Sequence, residues 1–414
     1  MIAHHKERPS GQSADGANGG PPTPVARPSE RVGLIALVPD RWGSAWQPRH
    51  QVLSRLARYF RVVWVNPAHG WRNIVAGRTG SKVQRDVAPH PEGFQVYEPD
   101  PWLPKFYRPR WLADLSFRGR VWRARRLLHK QGCERVILYI WRPEFADAVD
   151  FGDYDVSCYH IDDEYTFSST DVPVSPEERS LLERVDQVFV HSSALYEKKG
   201  RINANTKLVP NGVDFRSFSD PVAAPEDIAG IPHPRIGYAG YIKKQLDLPL
   251  LVNLARARPQ WQIVLVGGTS PHDEIREPVD ALRALPNVHF LGAKSTPELA
   301  AYPQHFDVCV MPYVADDYTR YIYPLKLHEY LAGGRPVVGT RLPALEPFGD
   351  LISLAETEAD WVAAIDELLQ PSASDVERRA ARQAVAKEHD WEGLVDGIAT
   401  AMLRLIDSQA RVTP

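Results

Sequence analysis

An α/β fold made of two Rossmann-like, doubly wound halves facing across a cleft is what this 414-residue sequence predicts. Three observations carry the expectation. Short apolar runs alternate with segments of helical period, the pattern of a parallel sheet covered on both faces. The alternation restarts at Arg235, after a stretch rich in Pro, Ala and Asp. With 43% hydrophobic and 24% charged residues the chain can build substantial cores, at a length suited to more than one domain.

Residues 1–30 are rich in Gly, Pro, Ser and Ala, lack the apolar segment of a signal peptide, and read as a disordered tail. Val32–Val38 ends in Pro39 and reads as a buried strand. Gln51–Tyr59 places Val52, Leu53 and Leu56 at helical spacing, and Val62–Val65 is the next strand. Further strands are expected at Arg135–Ile140, Val156–Ile161, Gln187–Val190 and Lys207–Val209, within an amino-terminal domain over 31–212. Residues 213–234 read as a linker.

A second domain over 235–390 repeats the pattern. Its expected strands are Ile236–Ala239, Gln262–Val266, Val288–Leu291, Val308–Met311, Pro336–Gly339 and Leu351–Leu354. Helices are expected at Pro249–Ala257, Pro297–Tyr302, around Lys326–Leu331, and at Ala359–Leu369 and Ser374–Glu388. Residues 391–414 read as a terminal helix that packs back on the amino-terminal domain. Ligands of such sheets sit at the carboxyl ends of strands, so the strand-end loops hold the candidate chemistry.

The formal net charge of −3 hides an asymmetry: residues 31–150 hold 21 Lys and Arg against 10 Asp and Glu, while 151–230 hold 7 against 15. The basic excess concentrates in 101–130, where Lys105, Arg108, Arg110, Arg118, Arg120, Arg123, Arg125, Arg126 and Lys130 meet only Asp114. Trp102, Phe106, Tyr107, Trp111, Phe117 and Trp122 are interleaved among them. Cations attract anionic headgroups, and Trp and Tyr rings suit the boundary between water and acyl chains. The stretch therefore reads as a surface for an anionic membrane. A solvated helix face over core aromatics and a groove for an anionic saccharide are the alternatives. No nucleic-acid partner is expected, because no recognition motif accompanies the basic stretch.

Cys133, Cys158 and Cys309 are too few and too widely spaced for a disulfide framework or a Cys-rich zinc site. No run reaches the roughly 18–20 apolar residues of a membrane span. The expected location is cytoplasmic, peripheral on the inner face of the membrane.

The second half carries Leu208-Val-Pro-Asn-Gly-Val-Asp214 and Pro324-Leu-Lys-Leu-His-Glu-Tyr-Leu-Ala-Gly-Gly-Arg-Pro-Val-Val338, with Gly237-Tyr-Ala-Gly-Tyr241, Val264-Leu-Val-Gly-Gly268 and Val288-His-Phe-Leu-Gly292. In order and spacing these resemble nucleotide-sugar glycosyltransferases of the GT-B fold, in particular glycosyltransferase family 4 and its relatives (glycosyl transferases group 1). On its own chemistry, Pro324 suits a helix start, and free amides there with Lys326 make an anion site fit for a diphosphate. Glu329 shares a face with Lys326 and could accept both hydrogen bonds of a ribose diol, the role the resemblance implies; a Lys–Glu surface pair is the alternative. The resemblance also implies a cation after Gly240, for which Lys243 and Lys244 are equal candidates, although the family's usual Arg is absent. Gly267, Gly292 and Tyr313 would border the nucleotide base. Retaining members usually carry a second glutamate eight residues before the ribose-binding one; here that position is Tyr321. Tyr323 and its aromatic neighbours could stack on a sugar, with Thr319 and Arg320 as hydroxyl or carboxylate partners.

In the amino half, Arg49 and His50 close a loop that follows the first strand and are candidates for phosphate or acceptor contact. The Tyr159-His-Ile-Asp-Asp-Glu-Tyr165 loop sets three carboxylates beside His160 at a strand end. Asp162 or Asp163 could take a proton from an acceptor hydroxyl, or cap a following helix. His191 is a further cleft candidate. Asp153-Tyr-Asp155 precedes a strand and is discounted as a metal site, so no metal or cofactor is expected beyond the nucleoside diphosphate sugar itself. The implied activity is transfer of a sugar to a glycan or lipid-linked acceptor in cell-surface polysaccharide synthesis. A sugar-nucleotide epimerase of the same fold and a non-catalytic GT-B scaffold are the rivals.

Overall fold

Buried aliphatic and β-branched runs form the central strands, because a parallel strand covered on both faces has no solvent side to keep polar. The computed structural model describes residues 31–44, 46–77, 90–152, 154–165, 174–372 and 374–410. The expected tail at 1–30, Asp153 and the last residues, 411–414, lie outside them.

The first domain supplies β1 (Val32–Leu37), β2 (Arg61–Val65), β3 (Phe94–Tyr97), β4 (Arg135–Ile140), β5 (Val156–Ile161), β6 (Gln187–Val190) and β7 (Thr206–Leu208). They pair in parallel in the order β3-β2-β1-β4-β5-β6-β7. The second supplies β8 (Arg235–Ala239), β9 (Gln262–Val266), β10 (Val288–Gly292), β11 (Val308–Met311), β12 (Val337–Thr340) and β13 (Ser353–Ala355). Their order, β10-β9-β8-β11-β12-β13, repeats the same winding, again parallel. In each sheet the winding reverses beside its first strand, at β1/β4 and at β8/β11. The carboxyl ends there open the crevices in which doubly wound sheets bind ligands.

In the first domain, β3 lies where no strand was expected, and the basic stretch 101–130, for which a solvated helix face was the alternative reading, contains a long helix. β3 is only four residues long and is half-buried at both middle positions, so it lacks the apolar run that marks its neighbours. Arg110–Lys130 is a 21-residue helix whose Val121, Ala124 and Leu128 are buried against the sheet. Its opposite side is also apolar, which blurs the single stripe by which a surface helix is read.

The segment 213–234 is packed rather than a free connector: Val213, Phe218, Ile228 and Ile231 enter the core of the second domain. The helix Trp391–Ala410 crosses back, and Trp391, Val395, Ile398 and Met402 share a core with Val52, Leu56 and Trp64. Arg55 and Arg58 both reach Glu392, and the Tyr59 hydroxyl donates to Asp396. The two crossings run side by side, since Val213 N donates to His389 O and Trp391 N to Val213 O, each at 3.0 Å.

Candidate functional site

On the second domain, the ends of β8, β9 and β10 are drawn together through main chain. Gly240 N donates to Val266 O at 2.7 Å, and Gly267 N to Gly292 O at 2.8 Å. A Cβ on Gly240 would run into Cε and Nζ of Lys326, and one on Gly267 would strike the Gly240 carbonyl. Glycine is thus required for the close approach that lays Lys326 over the end of β8, with its ammonium 5.3 Å from the centre of the Tyr238 ring. The helix that carries Lys326 runs Leu325–Ala332; Pro324 is its cap, and among the described residues no side chain caps its first amides. Such an end is electropositive and suits an anion.

Lys243 and Lys244 differ in place. Lys244 is exposed and pairs with Glu274 at 3.3 Å. Lys243 is half-buried; burial and then the Lys326 charge lower its pKa, while Asp163 of the first domain opposes them. Burial raises the carboxyl pKa of Glu329, with Lys326 offsetting it in part. Among the described residues, the side chains of Lys243, Lys326 and Glu329 have no hydrogen-bond or ion-pair partner, so the Lys326–Glu329 surface pair does not form. Tyr313 is buried beside them; burial lifts its hydroxyl pKa, and Lys326 works against that.

The rest of the expected donor wall is committed internally. The Tyr323 hydroxyl lies 2.8 Å from His328 Nε2, and its carbonyl accepts from Asn211 Nδ2 at 2.7 Å. His328 in turn stacks on His389 at 3.9 Å, so the Lys326 helix leans on the interdomain crossing. Thr319 is fully buried and donates to Val314 O at 2.6 Å, which removes it from the expected sugar contacts; Arg320 is exposed. Tyr321 faces the first domain: its carbonyl accepts from the Ser192 hydroxyl at 2.8 Å, and Lys198 Nζ sits 4.7 Å above its ring.

Across the cleft, Arg49 is buried between two carboxylates. It bonds Asp40 and, through Nη1, reaches Asp162 Oδ2 at 2.7 Å. Burial would raise the Asp162 pKa, but Arg49, and then the Tyr165 hydroxyl that donates to it, hold it below the ordinary carboxylate value. Asp163 is half-buried and different in kind. Burial, and then the neighbouring Asp162 charge, push its carboxyl up to about 6. It accepts from Glu164 N at 2.8 Å, and the Tyr318 hydroxyl reaches it from the second domain at 3.4 Å. Among the described residues neither aspartate caps a helix: the next described helix, Pro176–Arg184, is capped by Ser175. Glu164 is sealed beneath, paired with Lys198 at 2.9 Å and Lys199 at 2.8 Å.

The three histidines sit behind this surface. His50 is enclosed by Trp42, Trp46 and Trp64, and burial lowers its pKa to about 4. His160 stacks on Trp141 at 4.3 Å with its Nδ1 2.8 Å from the Tyr139 hydroxyl, and burial lowers it to about 3. His191 Nδ1 lies 3.1 Å from Ile161 O, and burial lowers it as well.

Two cleft residues escaped the sequence reading. Arg142 follows β4 at the winding reversal, stacked 4.4 Å over the Tyr165 ring and under the influence of Asp162, Asp163 and Asp40. Tyr318 spans the cleft to Asp163. The signal for Arg142 was positional, since it stands directly after the β4 run in Ile140-Trp-Arg-Pro143. Among the described residues no cluster of three or more His, Cys, Asp or Glu could hold a metal ion.

Residues 233–371 match the profile of the family described as Glycosyl transferases group 1. The chain is 30% identical over 229 residues to the putative teichuronic acid biosynthesis glycosyltransferase TuaH of Bacillus subtilis (strain 168). That match covers 52% of this chain and 56% of TuaH, so the chain spans about half the length of this curated relative. HepE of Anabaena, solved in complex with UDP, superposes with a TM-score of 0.67 at 15% identity, covering 90% of this chain and 100% of that one. The trehalose-6-phosphate synthase OtsA superposes with a TM-score of 0.60 at 14% identity, covering 89% and 98%. The two facing sheets and these likenesses make the fold GT-B.

Proposed function

We propose that this GT-B protein is a glycosyltransferase that moves a sugar from a nucleoside diphosphate donor to a hydroxyl of a glycan or lipid-linked acceptor, in the making of a surface polysaccharide. One observation carries the reading: Lys243, Lys326 and Glu329 lie together at the β8 end, without hydrogen-bond or ion-pair partners among the described residues, facing a carboxylate raised to about 6. Two cations and a bare helix start suit a diphosphate, and a lone carboxylate near Lys326 suits the two hydroxyls of a ribose. The match to TuaH over half its length and the UDP held by HepE support the same class.

In the proposed step the acceptor oxygen bonds to the anomeric carbon as the bond from that carbon to the phosphate oxygen breaks. Asp163 accepts the hydroxyl proton, and Lys243 with Lys326 stabilises the leaving diphosphate. Asp162 and Arg49 hold the Asp163 loop in place, and Tyr313 with Gly267 and Gly292 borders the base. The reaction is placed in the cytoplasm, with residues 101–130 toward an anionic membrane surface.

The test is a thermal-shift screen of UDP-, GDP-, ADP- and dTDP-sugars, then an assay of nucleotide release. A shift with at least one donor, and diphosphate release that depends on acceptor, are expected. Release of nucleotide without any acceptor, or no shift with any donor, would overturn the proposal.

A further inference from the structure

The most unusual surface of the protein lies on the first domain, beside the cleft. Trp102, Tyr107, Trp111 and Leu115 are 68%, 73%, 66% and 61% exposed, and Trp71 and Trp122 are 40% and 47% exposed. Large apolar groups gathered on one edge of a protein mark a binding surface. On the helix Arg110–Lys130, Trp111, Leu115, Arg118, Trp122 and Arg126 recur at steps of three and four, which puts them on one face. That face is the second apolar stripe of the helix, turned away from Val121, Ala124 and Leu128.

Charge identifies the occupant. Lys105, Arg108, Arg110, Arg118 and Arg126 are exposed within the same stretch, where Asp114 is the only acid. Several cations lie directly over the exposed rings: Lys105 is 5.6 Å from the centre of Tyr107, Arg126 is 5.4 Å from Trp122, and Arg72 is 5.4 Å from Trp71. Cation and ring at one point suit a boundary where anionic headgroups meet acyl chains. Among the described residues no helix is long and apolar enough to cross a membrane, so contact would be along the surface.

The patch is joined to the cleft by its own loops. Trp71 follows the carboxyl end of β2 and Trp102 that of β3, and a bridge between Gly70 and Lys105 binds the two loops. Arg41, in the loop after β1, donates to Pro67 O at 3.1 Å and to Glu98 Oε2 at 2.7 Å. The same β1 loop supplies Asp40 to Arg49. We infer that this edge seats the first domain on an anionic bilayer with the cleft opening beside it, so that the acceptor is a lipid-anchored saccharide presented from that bilayer. The acceptor part of the inference rests on the transferase reading above; the seating does not.

Sedimentation of the full chain with vesicles of phosphatidylcholine and phosphatidylglycerol, against phosphatidylcholine alone, tests the seating. The protein is expected in the pellet with the anionic vesicles, and each exposed cation removed should lower partitioning about fivefold at low salt. A Trp102→Ser, Trp111→Ser, Leu115→Ser variant should stay in the supernatant while keeping its melting temperature and its nucleotide thermal shift. Wild-type protein that stays in the supernatant with anionic vesicles, or a triple variant that pellets equally well, overturns the seating. With seating intact, equal turnover of a lipid-linked saccharide in vesicles and of the same saccharide without lipid overturns the acceptor class. Vesicle binding without any nucleotide shift would sink the transferase reading and leave the surface standing.

Discussion

The two domains wind their sheets alike and spend their charges in opposite ways. At the strand ends of the first, Arg49 is consumed by Asp40 and Asp162, and Lys199 by Glu164 and Glu178. At the strand ends of the second, Lys243, Lys326 and Glu329 have no such partners among the described residues. Internal pairs hold a platform in one geometry, whereas unpaired charges beside a bare helix start have solvation to trade for a ligand. On the proposed reading, the first domain's floor is held rigid and the second domain recognises the donor. Asp163 is the exception on the first side: it borders the paired cluster, but among the described residues no arginine or lysine forms an ion pair with it.

That exception gives the largest expected effect. Asp163→Asn should lower turnover by about 10²–10⁴-fold, the range for loss of a general base, with donor affinity little changed. In the proposed role Asp163 works deprotonated, so wild-type turnover should rise with pH through about 6 and level off above it. Steady-state rates from pH 5 to 8 check both. A full-rate Asp163→Asn enzyme would return the carboxylate to the structural side of the comparison.

Next comes the floor itself. Arg49→Met leaves Asp162 buried without its ion-pair partner and should cost about 3–5 kcal/mol of stability, whereas Arg49→Met with Asp162→Leu should recover much of that. Urea unfolding measures both. The wild-type pH dependence has a worked sign. Asp162 is held below its unfolded pKa, so its stabilisation is present above that value, near pH 4, and fades as pH falls below it. His50 and His160 stay neutral in the fold down to about 4 and about 3, while the unfolded chain protonates near 6.5. The unfolded state therefore binds more protons below 6.5, and stability should fall as pH drops from there toward 4.

The donor side should show the reverse balance, with large effects on binding and small ones on folding. Lys326→Ala removes a charged partner of a diphosphate, an interaction of about 1.5–3 kcal/mol, and should weaken UDP or GDP binding roughly 10–100-fold. Gly240→Ala should act in the same direction, because its Cβ would displace the Lys326 ammonium. Calorimetric titration with the nucleotide, beside a melting curve of each variant, reads the two effects separately.

The sequence made the strands legible because β1 and β11 are buried apolar runs throughout, β4, β6 and β9 are so after a polar first residue, and β5 is broken only at Ser157 and His160. It made the Lys326 helix legible through Pro324 and the glycines that follow Ala332. β3 and the Arg110–Lys130 helix were not, since one is short and half-polar and the other is apolar on two faces. At the site, residue type marked the candidates but not their engagement. Nothing in Asp162-Asp163 says that Arg49, 113 positions away, takes the first and leaves the second. His50, His160 and His191 look like chemistry in a sequence; in the fold the first two are packed among aromatic rings and the third is buried with Nδ1 against Ile161 O. Such long-range pairings are set by sheet order, which local pattern does not encode.

Lys243 and Lys244 put the comparison at its smallest scale, two adjacent residues of one type. Sequence treats them as equals. In the fold, Lys244 spends its charge on Glu274 at an exposed site, with both side chains more than half exposed (63% and 64%). Lys243 is half-buried beside Lys326, which makes its ammonium costly to keep without an anion. A surface pair contributes about 0–1 kcal/mol, so Lys244→Ala should change nucleotide affinity less than about twofold and leave the melting curve nearly unmoved. Lys243→Ala should weaken UDP or GDP about tenfold, as expected for a charged hydrogen bond. It should also slightly raise stability, because it removes a cation crowded by another. Nucleotide titrations of the two variants at one ionic strength decide the matter. Equal losses would mean that the loop after β8 rearranges around the ligand and that either amine can serve; a larger loss at Lys244 would reverse the assignment and place the diphosphate on the outer side of the loop.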